Sequence, residues 1–231
     1  MIRLVIAALL AAIAQPLAAQ AYQCRVPARV TVPQIAPDGP RRVLPVTGYT
    51  LALGWSPAFC RLREGNPAHA RQCSGRGGRF GLVVHGLWPD SGQSWPQWCR
   101  IARAPTAIEL APNLCMTPSA RLLARQWAKH GSCMARRPAT YYRVTRILWD
   151  SLTLPDLDLM SRQPELTAGA LRAQFAAANP RWSPGGVGLV LSDGWLREIR
   201  LCYDRRFRPA RCDKRRHGPA NETPMRIWRG L

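Results

Sequence analysis

Lysine is almost missing from this chain: among 231 residues, only Lys129 and Lys214 carry it. Acidic residues are also few, 13 against 33 Lys and Arg, so the formal charge is +20 and nearly all of it is arginine. No C-x-x-C pair occurs among the eight cysteines, and their wide spacing argues against a zinc site. Beyond the first twenty or so residues, no stretch is apolar enough to cross a bilayer. No internal repeat is visible, which excludes a solenoid.

What the chain does have begins at its N-terminus. Met1-Ile2-Arg3 is positive, Leu4 to Leu17 is apolar apart from Gln15, and Ala19-Gln20-Ala21 is a small-x-small cleavage site. Residues 1–21 therefore read as a secretory signal peptide, and the mature chain is expected to start at Tyr22. Gln23 before Cys24 argues against a lipid anchor. Residues 22–231 suit one domain with a single core. All eight cysteines follow the signal, and in an oxidising compartment an even set implies up to four disulfides. The protein is thus expected in the periplasm or outside the cell. Its charge favours a polyanion such as nucleic acid, or an anionic surface. A coding bias toward arginine would give the same composition, and against that bias Lys129 stands out.

Residues 22–47 read as an extended arm. Tyr49 to Trp55 alternates as a strand does, and Phe80 to Val84 reads as a buried central strand with His85 at its end. Residues 61–79 read as a loop and 90–118 as an irregular excursion. Ser119 can cap a helix to Lys129 with Leu122, Leu123 and Trp127 on its apolar face and Gly131 ending it. Thr140–Trp149 and Thr167–Ala178 read as two more helices. Val187–Leu191 and Trp195–Tyr203 flank Ser192-Asp193-Gly194 as a β-hairpin, and the basic segment from Arg205 reads as a loop. The whole is α+β: a central antiparallel β-sheet with helices packed mainly on one side.

Two segments carry chemistry: Phe80-Gly81-Leu82-Val83-Val84-His85-Gly86-Leu87-Trp88-Pro89 and Gln126-Trp127-Ala128-Lys129-His130-Gly131-Ser132-Cys133. Cleaving RNA without a metal needs a base for the 2′-OH, an acid for the leaving 5′-oxygen and a fixed positive charge for the phosphorane. Two histidines and a lysine meet those needs. Gln126 and His130, at i and i+4, share a helix face with Lys129 nearby. His69 and His217 lack such flanks and read as surface or core groups.

The flanks of His85 and His130 resemble the ribonuclease T2 family of secreted, disulfide-bonded endoribonucleases. His85 to Pro89 matches its His-Gly-Leu-Trp-Pro signature, and Arg125 to Cys133 resembles His-Glu-Trp-x-Lys-His-Gly-Thr-Cys. Leu51 to Pro57 with Cys60 looks like the family's first core strand, and Glu198 to Cys202 like its late strand. The resemblance implies His130 as general base, His85 as general acid, Lys129 on the phosphorane and Trp88 as a base-stacking platform for single-stranded RNA. Asp90 would accept from a base amino group. It also implies the disulfides Cys60–Cys73, Cys99–Cys133 and Cys202–Cys212, leaving Cys24 with Cys115. The family glutamate is Gln126 here, which can donate to phosphate but carries no charge, and the family histidine is Arg125, which can bind phosphate. Without that carboxylate the histidines should titrate lower and activity should shift to acid.

The expectation is a monomeric endoribonuclease of low base specificity, using neither metal nor cofactor. It would cleave through a 2′,3′-cyclic phosphate to 3′-phosphate ends. A catalytically impaired RNA-binding or cationic surface-binding protein on the same fold is the first alternative. A metal-dependent phosphoesterase is disfavoured, because Asp90 is the one carboxylate near the motifs and hard cations want several oxygen ligands. The basic stretch Arg205 to Arg216 either tracks RNA backbone or is a solvated loop. Trp95, Trp98, Trp149, Trp182, Trp195 and Trp228 read as packing residues.

Overall fold

A computed structural model of the chain describes residues 21–100 and 103–230. The signal-peptide reading therefore lies, Ala21 apart, outside the described residues. Four antiparallel strands form the main sheet: β1 (Gly48–Trp55), β2 (Leu82–Asp90), β3 (Val187–Ser192) and β4 (Trp195–Asp204). Their order is β2-β1-β4-β3. Leu51, Leu53, Ile199 and Leu201 are fully buried on one face, as period-two alternation requires. β3 and β4 are joined by Asp193-Gly194 with φ of 51° and 77°, the two positive angles of a type I′ turn.

Three longer helices, α1 (Ala120–Lys129), α2 (Pro138–Asp150) and α3 (Ala168–Ala178), cover that apolar face. Ser119 caps α1 by accepting from Leu122 N at 3.1 Å, and Thr167 caps α3 from Ala170 N at 3.2 Å. Pro138 starts α2, where its missing N–H costs nothing. Leu123, Ala124 and Trp127 are the buried face of α1, while Leu122 is only half-buried. Leu171 and Phe175 of α3 are fully buried, each contributing about 1.5–3 kcal/mol by leaving water. Arg172 beside them is fully buried too, donating to the carbonyls of Val187, His217 and Pro219 and to Asn221 Oδ1 at 2.8–3.0 Å. It fastens the C-terminal segment to the sheet.

β2 is buried, as its apolar run suggests, but it is an edge strand and not a central one. Its outer edge is covered instead of paired. Val84 N donates to Met116 O, Thr117 Oγ1 donates to Val84 O, and the Tyr141 hydroxyl meets both the N–H and the C=O of Leu87 at 3.1 Å. A covered edge has the same sequence signature as a central strand, because both remove the strand from water. Several segments read as irregular contain short helices: Ala70–Cys73, Ala107–Leu110 and Lys214–His217. α1 runs from the Ser119 cap to Lys129, as read from the sequence, with His130 as its C-cap and Gly131 opening the turn that follows. Disulfides join Cys24–Cys115, Cys60–Cys73, Cys99–Cys133 and Cys202–Cys212. No helix among the described residues is long and apolar enough to cross a membrane.

Candidate active site

β2 does not stop at His85. Leu53 of β1 faces Val84 and Ala52 faces Gly86, so His85 is the extra residue of a β-bulge. The bulge reverses the strand's parity. Leu82 and Val84 before it and Leu87 after it all enter the core, and His85, Trp88 and Asp90 all line one cleft on the other side. Gln126, Lys129 and His130 reach the same cleft from the end of α1, giving a cavity of about 350 Å³.

Trp88 lies between the two histidines, with ring centroids 5.2 Å from His85 and 5.8 Å from His130. Its Nε1 donates to Gln126 Oε1 at 2.7 Å. Gly86 makes that bond possible: a Cβ there would stand 2.3 Å from Gln126 Oε1 and 2.6 Å from Trp88 Nε1. Gly131 serves the second motif likewise, since a Cβ would collide with the rings of Trp127 and Tyr141. Both His-Gly pairs are thus close-approach points of the backbone.

The two histidines have opposite surroundings. His85 is half-buried and its Nδ1 meets Glu198 Oε1 from β4. Burial pushes Glu198 toward protonation, but His85 and Arg200 outweigh it and hold the carboxyl below its ordinary range. His130 is buried, 7% exposed, and its Nδ1 has no partner among the described residues. Burial, then Lys129, Arg125 and His85, push its pKa down to about 3, against a weak opposing pull from Asp38.

Lys129 Nζ donates to Asp38 Oδ1 at 3.0 Å, and Arg125 donates to the other oxygen. Arg125 and Lys129 hold the Asp38 carboxyl down at about 2. The extended arm thus lays one carboxylate across two cations of the cleft. Asp90 is 5% exposed and bound by Arg216 at 2.6 Å and Arg215 at 3.4 Å, so its carboxylate is already engaged. Arg215 and Arg216 of the basic stretch line the cleft and are neither a distant track nor a solvated loop.

Trp95 is 39% exposed and lines the cleft, between Arg42 and Arg215, so packing does not describe it. Trp98, Trp149 and Trp182 are buried, while Trp195 and Trp228 pair with each other at 5.3 Å. His69 packs edge-on against Phe59. Sequence reasoning gave no role to Glu198, Asp38 or Arg200. The one trace of Glu198 is a charge on the strand face opposite Ile199 and Leu201. A second cleft of about 740 Å³, lined in part by Phe59, Gln72 and Leu122, meets the first at His85, Arg125 and Arg200.

Fold and cleft together define a disulfide-stapled α+β protein with a two-histidine site set among cations. A sequence profile of the Ribonuclease T2 family matches residues 47–157. A probable ribonuclease of Haemophilus influenzae is 29% identical over 187 residues, covering 74% of this chain and 62% of that protein. The chain thus spans less than two thirds of that relative's length. A ribonuclease of Aeromonas hydrophila is 29% identical over 171 residues, covering 68% of this chain and 71% of that one. The structure of an RNase-related protein from Calystegia sepium superposes with a TM-score of 0.62 at 20% identity, covering 80% of this chain and 98% of that chain, a likeness of fold. The profile match, the curated relatives and the structural neighbours together support the ribonuclease T2 family for this chain.

Proposed function

We propose that this protein is an exported endoribonuclease that cleaves single-stranded RNA by transphosphorylation, with no metal. Residues 1–21 act as the export signal, and residues 22–231 form one monomeric catalytic domain that works in the periplasm or outside the cell. His130 takes the proton of the 2′-OH as that oxygen attacks phosphorus. His85 gives a proton to the departing 5′-oxygen. Lys129 and the free amide N–H of Gln126 stabilise the phosphorane, with Arg125 beside them. The product is a 2′,3′-cyclic phosphate, hydrolysed more slowly to a 3′-phosphate. DNA lacks the 2′-OH and is not cut.

The observation that carries this reading is the unequal treatment of two histidines across one cleft. A buried imidazole among cations, its pKa pushed to about 3, is neutral and ready to accept a proton. An imidazole whose Nδ1 is held by a carboxylate keeps its proton on that nitrogen and turns Nε2 toward the cleft, the orientation an acid needs. The two clefts meeting at His85 suit a phosphate at the junction with a nucleotide on either side, Trp88 beneath one base, at low base specificity. Asp90 then acts on the base through Arg215 and Arg216, and not by accepting directly. The cations and the prior engagement of Asp90 make the cleft a poor cage for a divalent ion.

The test is cleavage of single-stranded RNA in excess chelator with products resolved by mass. A cyclic phosphate should appear first, and His85→Ala and His130→Ala should each abolish it. Intact RNA from a folded protein that still binds it would leave a binding protein on a ribonuclease scaffold.

A further inference from the structure

We propose that Glu198 is the positioning residue of His85, fixing the imidazole so that Nε2 faces the scissile bond. This rests on the reading of His85 as general acid. Glu198 stands on β4, and His85 on β2 is two strands away, with β1 between them. Their contact crosses β1 at Gly54, which is paired with Glu198 on one side and with Val83 on the other. A Cβ at Gly54 would meet nothing within 4 Å, so the sheet face under the pair is open. The bulge lifts His85 out of the ladder, and the missing side chain on β1 lets the carboxylate reach it.

The pair has the form of a built device and not of a surface contact. The Glu198 side chain is 14% exposed, and its second oxygen is held by Arg200 at 3.1 Å. Arg200 in turn lies 5.5 Å from the Trp88 ring centre, and Trp88 stands edge-on to His85. Arginine, carboxylate and imidazole thus form a chain that ends on the ring. A carboxylate on Nδ1 requires the proton there, which leaves Nε2 to carry the transferable proton. In the transfer step the bond from phosphorus to O2′ forms and that to O5′ breaks. The 2′-OH proton goes to His130, the His85 Nε2 proton goes to O5′, and His85 is left neutral with Nδ1–H still on Glu198. Gln126 cannot do this work: it is neutral, on α1, and its oxygen already accepts from Trp88.

The experiment compares two substrates that differ in their leaving group: a uridylyl-adenosine dinucleotide, whose 5′-oxygen must be protonated, and uridine 3′-(4-nitrophenyl phosphate), whose nitrophenolate need not be. Glu198→Ala and Glu198→Gln should lower kcat on the dinucleotide about 10- to 100-fold, with KM nearly unchanged, and barely affect the nitrophenyl ester. His85→Ala should show the same selectivity on a larger scale, about 10²- to 10⁴-fold. Equal losses on both substrates for the Glu198 variants, with His85→Ala still selective, would overturn the positioning role and leave the acid assignment standing. Equal losses for His85→Ala would overturn the acid assignment itself. If the Glu198 variants fail to fold, ¹⁵N-edited NMR of the native protein decides. A hydrogen-bonded Nδ1 proton on His85 supports the proposal, and a bare Nδ1 refutes it.

Discussion

Acidification separates the two histidines most directly. An imidazole of ordinary pKa would go from about 76% to about 3% neutral between pH 7 and pH 5, a loss of about 25-fold in any rate needing it as base. His130, pushed down to about 3 by burial and by Lys129 and Arg125, stays almost wholly neutral over that interval. The acid limb of kcat/KM reports the base of the free enzyme. Measured on a dinucleotide at constant ionic strength in excess chelator, that limb should fall near pH 3–4. Arg125→Gln removes one of the cations responsible, so its limb should move up. A limb near 6.5 in the native protein would refute the reasoning. So would one that fails to move in Arg125→Gln.

The same group makes stability pH-dependent. Above pH 6.5 the ring is neutral in both states; below it the unfolded chain binds the proton first, so stability should fall by about 1.4 kcal/mol per pH unit toward pH 3. Urea unfolding at two pH values should give a shallower slope for His130→Gln, and an unchanged slope would contradict the assignment. Asp38→Asn frees Lys129 and Arg125, and inhibition by inorganic phosphate should become tighter; unchanged inhibition would mean that the arm yields to anions at no cost. Arg172→Met leaves buried carbonyls of Val187, His217 and Pro219 without their donor, which should cost about 3 kcal/mol or more in urea unfolding. A near-native midpoint would show that water replaces the guanidinium.

Much of the fold is written locally. Ser119 and Thr167 announce helix starts because a hydroxyl can satisfy orphan N–H groups, and Asp193-Gly194 announces a hairpin because few residues accept two positive φ angles. The site is legible only where its residues are consecutive. His85 with Trp88, and Gln126 with Lys129 and His130, lie within single elements. Glu198 meets His85 across 113 residues, and Asp38 meets Lys129 across 91. No local pattern encodes such pairs, since an isolated acid on an alternating strand or a proline-rich arm reads as a solvated charge. The edge position of β2 was hidden for a related reason: Met116, Thr117 and Tyr141 supply from elsewhere what a neighbouring strand would supply.

The bulge at His85 makes the site depend on counting as well as on chemistry. Leu82 and Val84 occupy one parity and Leu87 the other, and the single unpaired residue between them is what lets His85, Trp88 and Asp90 share one face. Deleting one residue there would keep every hydrogen-bonding neighbour of β1 and every apolar side chain in the core. Yet it would erase the histidine's place without touching the rest of the ladder. The bulge is a spacing rule that the backbone enforces before any side chain is chosen.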